Sequence, residues 1–337
     1  MPISLAKSRE HFLELLLHFL WRQWSALGVA GYSTSKDSWM IDPEALLLFS
    51  TKVARHDPRL FDEIFDWLQQ NGPWINLQRL ARIQKDHGLG ERTILAALGQ
   101  HLAKDSAHFK WKMLTWRVAK DPPKTEPEAL FHGVPPLGSP DEIFLRWGWV
   151  RAPATPRGMS QAPRTDQPAT FLIKLRALFG RLARAEVIGW LLTHESGHAA
   201  EIASSVGYFP RSIQLVLNDL LVSGHVRAVR VGREKRFAIR HDEWRFLITW
   251  SDGTEFPRWI DWAPLFTALV IFLDALAKPG LDERSDRFQA IQLRDALDKA
   301  LPALAQAGLA QQITATRELG GTELISAFIE DISTLLG

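Results

Sequence analysis

The chain contains no cysteine among its 337 residues. This absence excludes disulfide bonds, thiolate metal sites and thiol nucleophiles. It fits a reducing compartment, and the first residues, MPISLAKSRE, lack the layout of a signal peptide. We therefore expect a cytoplasmic protein.

A long, clean apolar run is also missing. The most apolar stretch, residues 262–276, is shorter than the roughly 18 residues that a membrane span requires, and it contains Asp274. This stretch predicts a buried helix, and we expect no membrane partner.

Catalytic signatures are scarce. The sequence has no G-x-S-x-G elbow, no G-x-x-x-x-G-K-[ST] phosphate loop and no Gly-Ser motif with paired carboxylates of the kind a nucleotidyltransferase needs. Residues 194–198 (HESGH) do match the H-E-x-x-H zinc signature, but that chemistry needs both histidines on one continuous helix and a third ligand. Gly197 falls where the pattern predicts a turn, and no third ligand follows. We expect no catalytic residues, no metal site and no cofactor.

Charge is present but unevenly distributed. The formal net charge is +2, yet residues 143–185 hold eight basic side chains against one acid, Asp166. Residues 246–337 hold 13 acidic and seven basic side chains. A basic middle and an acidic end suggest that only the middle of the chain touches an anion.

The hydrophobic periodicity predicts a mainly α-helical fold with small β-hairpin wings. We expect four regions, which are a helical N-terminal domain at 1–120, a proline-rich basic linker at 121–168, a winged helix-turn-helix at 169–248 and a helical C-terminal domain at 249–337. Residues 58–115 show the same helix, turn, helix, turn, helix order as the central region. This order leaves open either a second, degenerate winged helix in tandem or an ordinary three-helix unit.

The central region carries the functional prediction. Residues 185–193 and 200–206 predict two short helices, Gly207-Tyr208 a tight turn, and residues 209–222 a third helix whose inward stripe is apolar. In a helix-turn-helix the outward face of the third helix enters the major groove, where Gln and Asn can bond adenine and Arg can bond guanine. The outward residues are Arg211, Ser212, Gln214, Leu215 and Asn218. The first two could instead hold phosphates at the positive end of the helix.

Two strands are predicted next, at 225–231 and 236–240, joined by residues 232–235. Cations at the tip of such a hairpin suit contact with phosphates or the minor groove. These cations are Arg230, Arg233, Lys235 and Arg236.

The stretch HAAEIASSVGYFPRSIQLVLNDLLVSGHVRAVRVGREKRFAI resembles winged helix-turn-helix transcriptional regulators of the broad ArsR- or MarR-like type. The preceding LIKLRALFGRLARAEVIGWLL is similar to the lead-in of winged helices encoded beside minimal nucleotidyltransferases. The first resemblance implies a regulator without enzymatic activity that binds double-stranded DNA. Palindromic operators would match a homodimer. The second leaves open a protein partner, with the chain acting as a scaffold or antitoxin-like partner of a separately encoded enzyme such as a nucleotidyltransferase.

Overall fold

The computed structural model describes residues 5–31, 39–118, 126–135, 138–232, 234–250 and 255–336. These residues form fifteen α-helices and four short strands, so the prediction of a mainly helical protein is confirmed. The helices are α1 (Leu5–Ala26), α2 (Pro43–Val53), α3 (Pro58–Asn71), α4 (Leu77–His87), α5 (Arg92–Leu102), α6 (Lys112–Val118), α7 (Glu142–Arg146), α8 (Phe171–Phe179), α9 (Ala183–Leu191), α10 (Ala199–Val206), α11 (Pro210–Val222), α12 (His241–Trp244), α13 (Trp262–Leu276), α14 (Asp286–Gln306) and α15 (Gly321–Leu336). The strands are β1 (Glu128–Ala129), β2 (Trp149–Val150), β3 (Val226–Val231) and β4 (Glu234–Ile239).

The strands pair in two separate places. β1 lies parallel to β2, whereas β3 and β4 form an antiparallel hairpin with Val226 opposite Ile239. Short pairs of this kind are stable only when a hydrophobic face packs against other elements. Both pairs therefore depend on the helices around them.

Helices α2 and α3 each begin at an Asp-Pro pair. The Asp42 carboxylate accepts hydrogen bonds from the backbone N–H groups of Glu44 and Ala45, and the Asp57 carboxylate accepts one from Leu60. A proline follows each aspartate at the first helical position, where a missing N–H costs nothing.

One hydrophobic core joins the first and last helices of the chain. Helix α13 contacts α1, α2 and α4 as well as α14. Phe266 of α13 stacks on Phe49 of α2 with ring centroids 4.3 Å apart, and Phe272 stacks on Phe328 of α15 at 3.5 Å. These helices were expected in two different domains. The packing joins them, because most sides of the apolar helix α13 are covered by helices from both ends of the chain.

The predicted proline-rich linker is also packed where the structure describes it. The Asp66 carboxylate of α3 accepts hydrogen bonds from the backbone N–H groups of Gly158 (2.7 Å) and Ser160 (3.0 Å). Arg151 is buried and lies 2.8 Å from Asp62. Composition indicates irregular backbone here. In the structure, side chains of α3 form hydrogen bonds with that backbone and hold it against the helices of the first core.

A second hydrophobic core is built from residues 171–247 together with Met40. It contains α8 to α12 and the β3–β4 hairpin. Residues 58–115 do not repeat this arrangement, because α5 is followed by a 3-10 turn and α6, and no strand occurs within residues 39–118. The hairpin of a tandem winged helix is therefore missing from that segment. No described helix has both the length and the apolar character needed to cross a membrane.

Candidate nucleic-acid interface

The candidate site lies on residues 183–239, which we call the helix–hairpin unit. It consists of α9, α10 and α11 followed by the β3–β4 hairpin. Gly207 ends α10 with a left-handed backbone (φ +72°), a conformation that glycine adopts without strain. Pro210 opens α11 two residues after Tyr208, so the chain reverses within three residues.

Helix α11 presents a polar outer face. Its inward residues Ile213, Leu217 and Leu220 are buried. The predicted outward residues share the opposite side, where Arg211, Leu215 and Asn218 are exposed and Ser212 and Gln214 are half-buried. The Gln214 amide donates to Asn218 Oδ1 at 3.0 Å, so two of the predicted base-reading groups already lie together.

The outer face also carries apolar groups. Leu215 is 60% exposed and Val222, at the last turn of α11, is 91% exposed. The spacing of Arg211, Leu215, Asn218 and Val222 places them along one line on the helix. Apolar contact with a thymine methyl group is one use for such a side chain in the major groove.

The hairpin carries two cations directly opposite each other. Arg230 of β3 faces Lys235 of β4, and both side chains are exposed. Like charges in this position destabilise a strand pair. Within the described residues, neither Arg230 nor Lys235 has an ion-pair partner, and the same is true of Arg211. An anion near the tip would therefore relieve the repulsion. Arg233, the fourth predicted cation, lies outside the described residues.

Arg236 has a different position from the one predicted for a DNA contact. Its guanidinium is largely covered and donates to the carbonyl oxygen of Ser196 (2.8 Å) and to Glu201 Oε2 (3.0 Å). These bonds tie β4 to the segment before α10. Arg236 therefore positions the hairpin, and its charge is already compensated.

The HESGH segment lies between α9 and α10, so it is not a helix. Gly197 exchanges two backbone hydrogen bonds with Phe237 of β4, at 3.0 and 2.8 Å. His194 stacks on Trp190 with ring centroids 3.8 Å apart, whereas His198 Nδ1 accepts the Glu201 N–H as a cap of α10. The described residues hold no group of three side chains suited to a metal ion. In the structure, this segment anchors the hairpin.

Gly197→Ala should detach this anchor. An added Cβ would lie 2.4 Å from Trp190 Cη2, so either the indole or the Gly197–Phe237 pair must move. We expect a loss of about 1–3 kcal/mol in the free energy of unfolding, as for other overpacked cores, measured by urea denaturation. Gly320→Ala is the matched control, because its Cβ would meet only the flexible Glu323 side chain at 3.4 Å. Equal unfolding midpoints for the two variants would contradict the close contact.

A buried charge network, which was not predicted, lies where this unit meets the neighbouring helices. It contains two arginines and three carboxylates contributed by α2, α4, α8, α9 and the residue before α2. Its members are Asp42, Glu44, Arg79, Arg176 and Glu186. The only hint in the sequence is that one or two charged residues interrupt each of three apolar stretches, PEALLLF, FLIKLRALF and AEVIGWLL.

Arg176 is the centre of the network. Its Nη2 lies 2.7 Å from both Glu44 Oε2 and Glu186 Oε1. Burial by itself would lower the pKa of this guanidinium, but the two carboxylates outweigh it and raise the pKa above its usual value. Burial raises the pKa of Glu186, because it disfavours the charged carboxylate, and the neighbouring Glu44 acts in the same direction against the opposing effect of the two arginines.

The same network holds the turn between α10 and α11. Arg79 Nε donates to the carbonyl oxygen of Val206 at 2.7 Å, and the Asn76 amide donates to the Tyr208 hydroxyl at 2.9 Å. Arg79 also pairs with Asp42 and Glu44. We call the helices around the first hydrophobic core, α1–α7 and α13–α15, the helical body. The helix–hairpin unit is therefore fixed to the helical body by buried, charge-assisted hydrogen bonds.

The exposed surface of the unit combines amide and guanidinium groups on a helix with uncompensated cations on a hairpin. Such a surface suits an anionic, extended ligand. No family model, no curated protein and no solved structure matches the chain.

Proposed function

We propose that the helix–hairpin unit is a winged helix-turn-helix that binds duplex DNA, and that the protein is a transcriptional regulator. The observation that carries this proposal is the opposed pair Arg230 and Lys235, exposed and uncompensated on the same unit as the polar face of α11. The element order α9, α10, α11, β3, β4 supports it, as does the Gly197–Phe237 pair, a single antiparallel bridge between the segment before α10 and the hairpin.

In the proposed complex α11 enters the major groove. Gln214 and Asn218 would bond base edges, with adenine as their preferred partner, and Arg211 would bond guanine or a phosphate. The hairpin would contact the backbone or the minor groove beside it. A homodimer would place two such units on the half-sites of a palindrome.

Wild-type protein should bind duplex DNA, and the affinity should fall as salt rises. Each phosphate neutralised by a cation contributes a slope of about −0.9 to log K against log salt on B-DNA. Fluorescence anisotropy with a random duplex, followed by selection of preferred sequences, measures both the slope and the specificity. Absence of binding at low salt would overturn the proposal.

A protein-interaction role is the second candidate, as a scaffold or antitoxin-like partner of a separately encoded enzyme such as a nucleotidyltransferase. It is favoured by large apolar side chains that are exposed on or near the unit. These are Leu178, Leu182, Val222 and Phe246. Exposed apolar groups of this size are candidates for contact with another protein. Light scattering of the purified chain, alone and mixed with a minimal nucleotidyltransferase, distinguishes a homodimer from a mixed complex.

A further inference from the structure

Helix α4 belongs to the helical body, yet it packs directly on the turn that leads into α11. Besides the bonds from Asn76 and Arg79, Ile83 approaches this turn so closely that a Cβ on Gly207 would lie 3.1 Å from Ile83 Cγ1. The outer surface of α4 is thus held at a constant position relative to the start of α11.

Arg82 of α4 reaches the start of α11 itself. Its guanidinium carbon lies 3.9 Å from the centre of the Phe209 ring, and Phe209 is the residue immediately before the first turn of α11. Phe209 is 66% exposed, whereas the Arg82 side chain is partly covered and 26% exposed, so the stacked pair lies at the edge of the protein surface. Lys85, three residues further along α4, is exposed on the same face as Arg82.

We propose that α4 is a second part of the DNA interface and that Arg82 and Lys85 contact the phosphate backbone next to α11. This inference rests on the proposed function, since it assumes that α11 faces DNA. It enlarges the interface from the helix–hairpin unit to the unit together with the helical body.

The local charges favour a phosphate at this place. The start of α11 carries the positive end of the helix dipole, and the exposed Arg211 lies in that first turn. A guanidinium stacked on an aromatic ring is already oriented, so it loses less entropy when it binds a phosphate. Asp86, 3.1 Å from Arg82, opposes this charge. That pair is partly exposed and therefore weak, so a phosphate can replace Asp86 as the partner.

The buried charge network fixes the position of α4 relative to α11. Because Arg79 and Arg176 fix the unit to the body, α4 and α11 meet the DNA as one rigid surface. Contacts from α4 therefore add affinity without reading bases, and they set the register of α11 along the groove.

The test is the double variant Arg82→Ala/Lys85→Ala. We expect a roughly tenfold to thirtyfold loss of affinity at physiological salt and a salt slope that is shallower by about 2, since two phosphate contacts are lost. The ratio of specific to random-sequence affinity should stay the same, because phosphate contacts are sequence-independent. Arg287→Ala/Lys299→Ala is the matched control, with two exposed cations removed from α14, and it should bind like wild type.

The outcomes separate the two proposals. If wild-type protein does not bind duplex DNA, both are overturned. If it binds and the α4 double variant shows the wild-type affinity and slope, α4 is not part of the interface. Tighter binding by the double variant would also overturn the inference, since it would show that Arg82 and Lys85 oppose DNA binding. Arg82→Lys/Lys85→Arg keeps both charges and should retain the wild-type slope, and urea denaturation of each variant confirms that the fold is intact.

Discussion

An Arg176→Met variant is expected to lose about 3–5 kcal/mol of its free energy of unfolding, the usual cost of breaking a buried ion pair from one side. Arg176 gives Glu186 Oε1 both of its hydrogen bonds, from Nε at 2.9 Å and Nη2 at 2.7 Å. Glu186 Oε2 has no hydrogen-bond partner among the described residues. The variant therefore leaves a fully buried carboxylate without a donor, whereas Glu44 keeps Arg79.

Urea denaturation at neutral and mildly acidic pH measures this effect. The loss should shrink at the lower pH, because Glu186 with a raised pKa takes up a proton in the folded state before it does so in the unfolded chain. Glu186→Gln should lower the free energy of unfolding by less than Arg176→Met does, since a neutral amide replaces a carboxylate whose protonated form is already favoured by burial. Arg164→Met removes an arginine that is 70% exposed and pairs with Asp166, and it should leave the urea midpoint close to that of the wild type. Similar losses for Arg164→Met and Arg176→Met would contradict the role of the network.

Charge reversal at the hairpin, Arg230→Glu/Lys235→Glu, should weaken DNA binding by about a hundredfold or more at physiological salt. The variant removes two phosphate contacts and adds two charges that repel the backbone. The salt slope should become shallower by at least about 2. Fluorescence anisotropy across a salt series measures both quantities on the same duplex.

The matched control is Arg287→Glu/Lys299→Glu, which makes the same change of net charge on the exposed side of α14. If both variants lose affinity equally, binding depends on the net charge of the protein, and the hairpin is not a specific DNA contact. Lys235 Nζ lies 5.1 Å from the centre of the Phe237 ring, so the hairpin variant also needs an unfolding measurement. Wild-type affinity in a folded hairpin variant would remove the observation on which the proposed function rests.

Much of the candidate surface could be predicted from local patterns. The inward and outward sides of α11 follow from its apolar periodicity, and the turn between α10 and α11 follows from Gly207. The hairpin follows from alternating residues around a glycine turn. In each case the physical cause lies within a few residues, so a single sequence contains it.

The role of Arg236 could not be predicted in this way. Sequence position places it among the cations of the hairpin, but its partners, Ser196 and Glu201, come from the segment before α10 and from α10 itself. The proline-rich segment is a similar case. Its composition indicates irregular backbone, whereas the carboxylate of Asp66, 92 residues before Gly158, holds it in place.

The amino-acid pattern alone was enough to indicate a mainly helical protein, the position of α11 and the cation-bearing hairpin after it. These properties depend on turns and periodicity, which act between neighbouring residues. Tertiary packing was needed to show that HESGH anchors the hairpin, that the first and last helices share one core, and that α4 lies against the turn into α11. Those features depend on pairs such as Arg176 and Glu44, which are 132 residues apart and meet only when the chain folds.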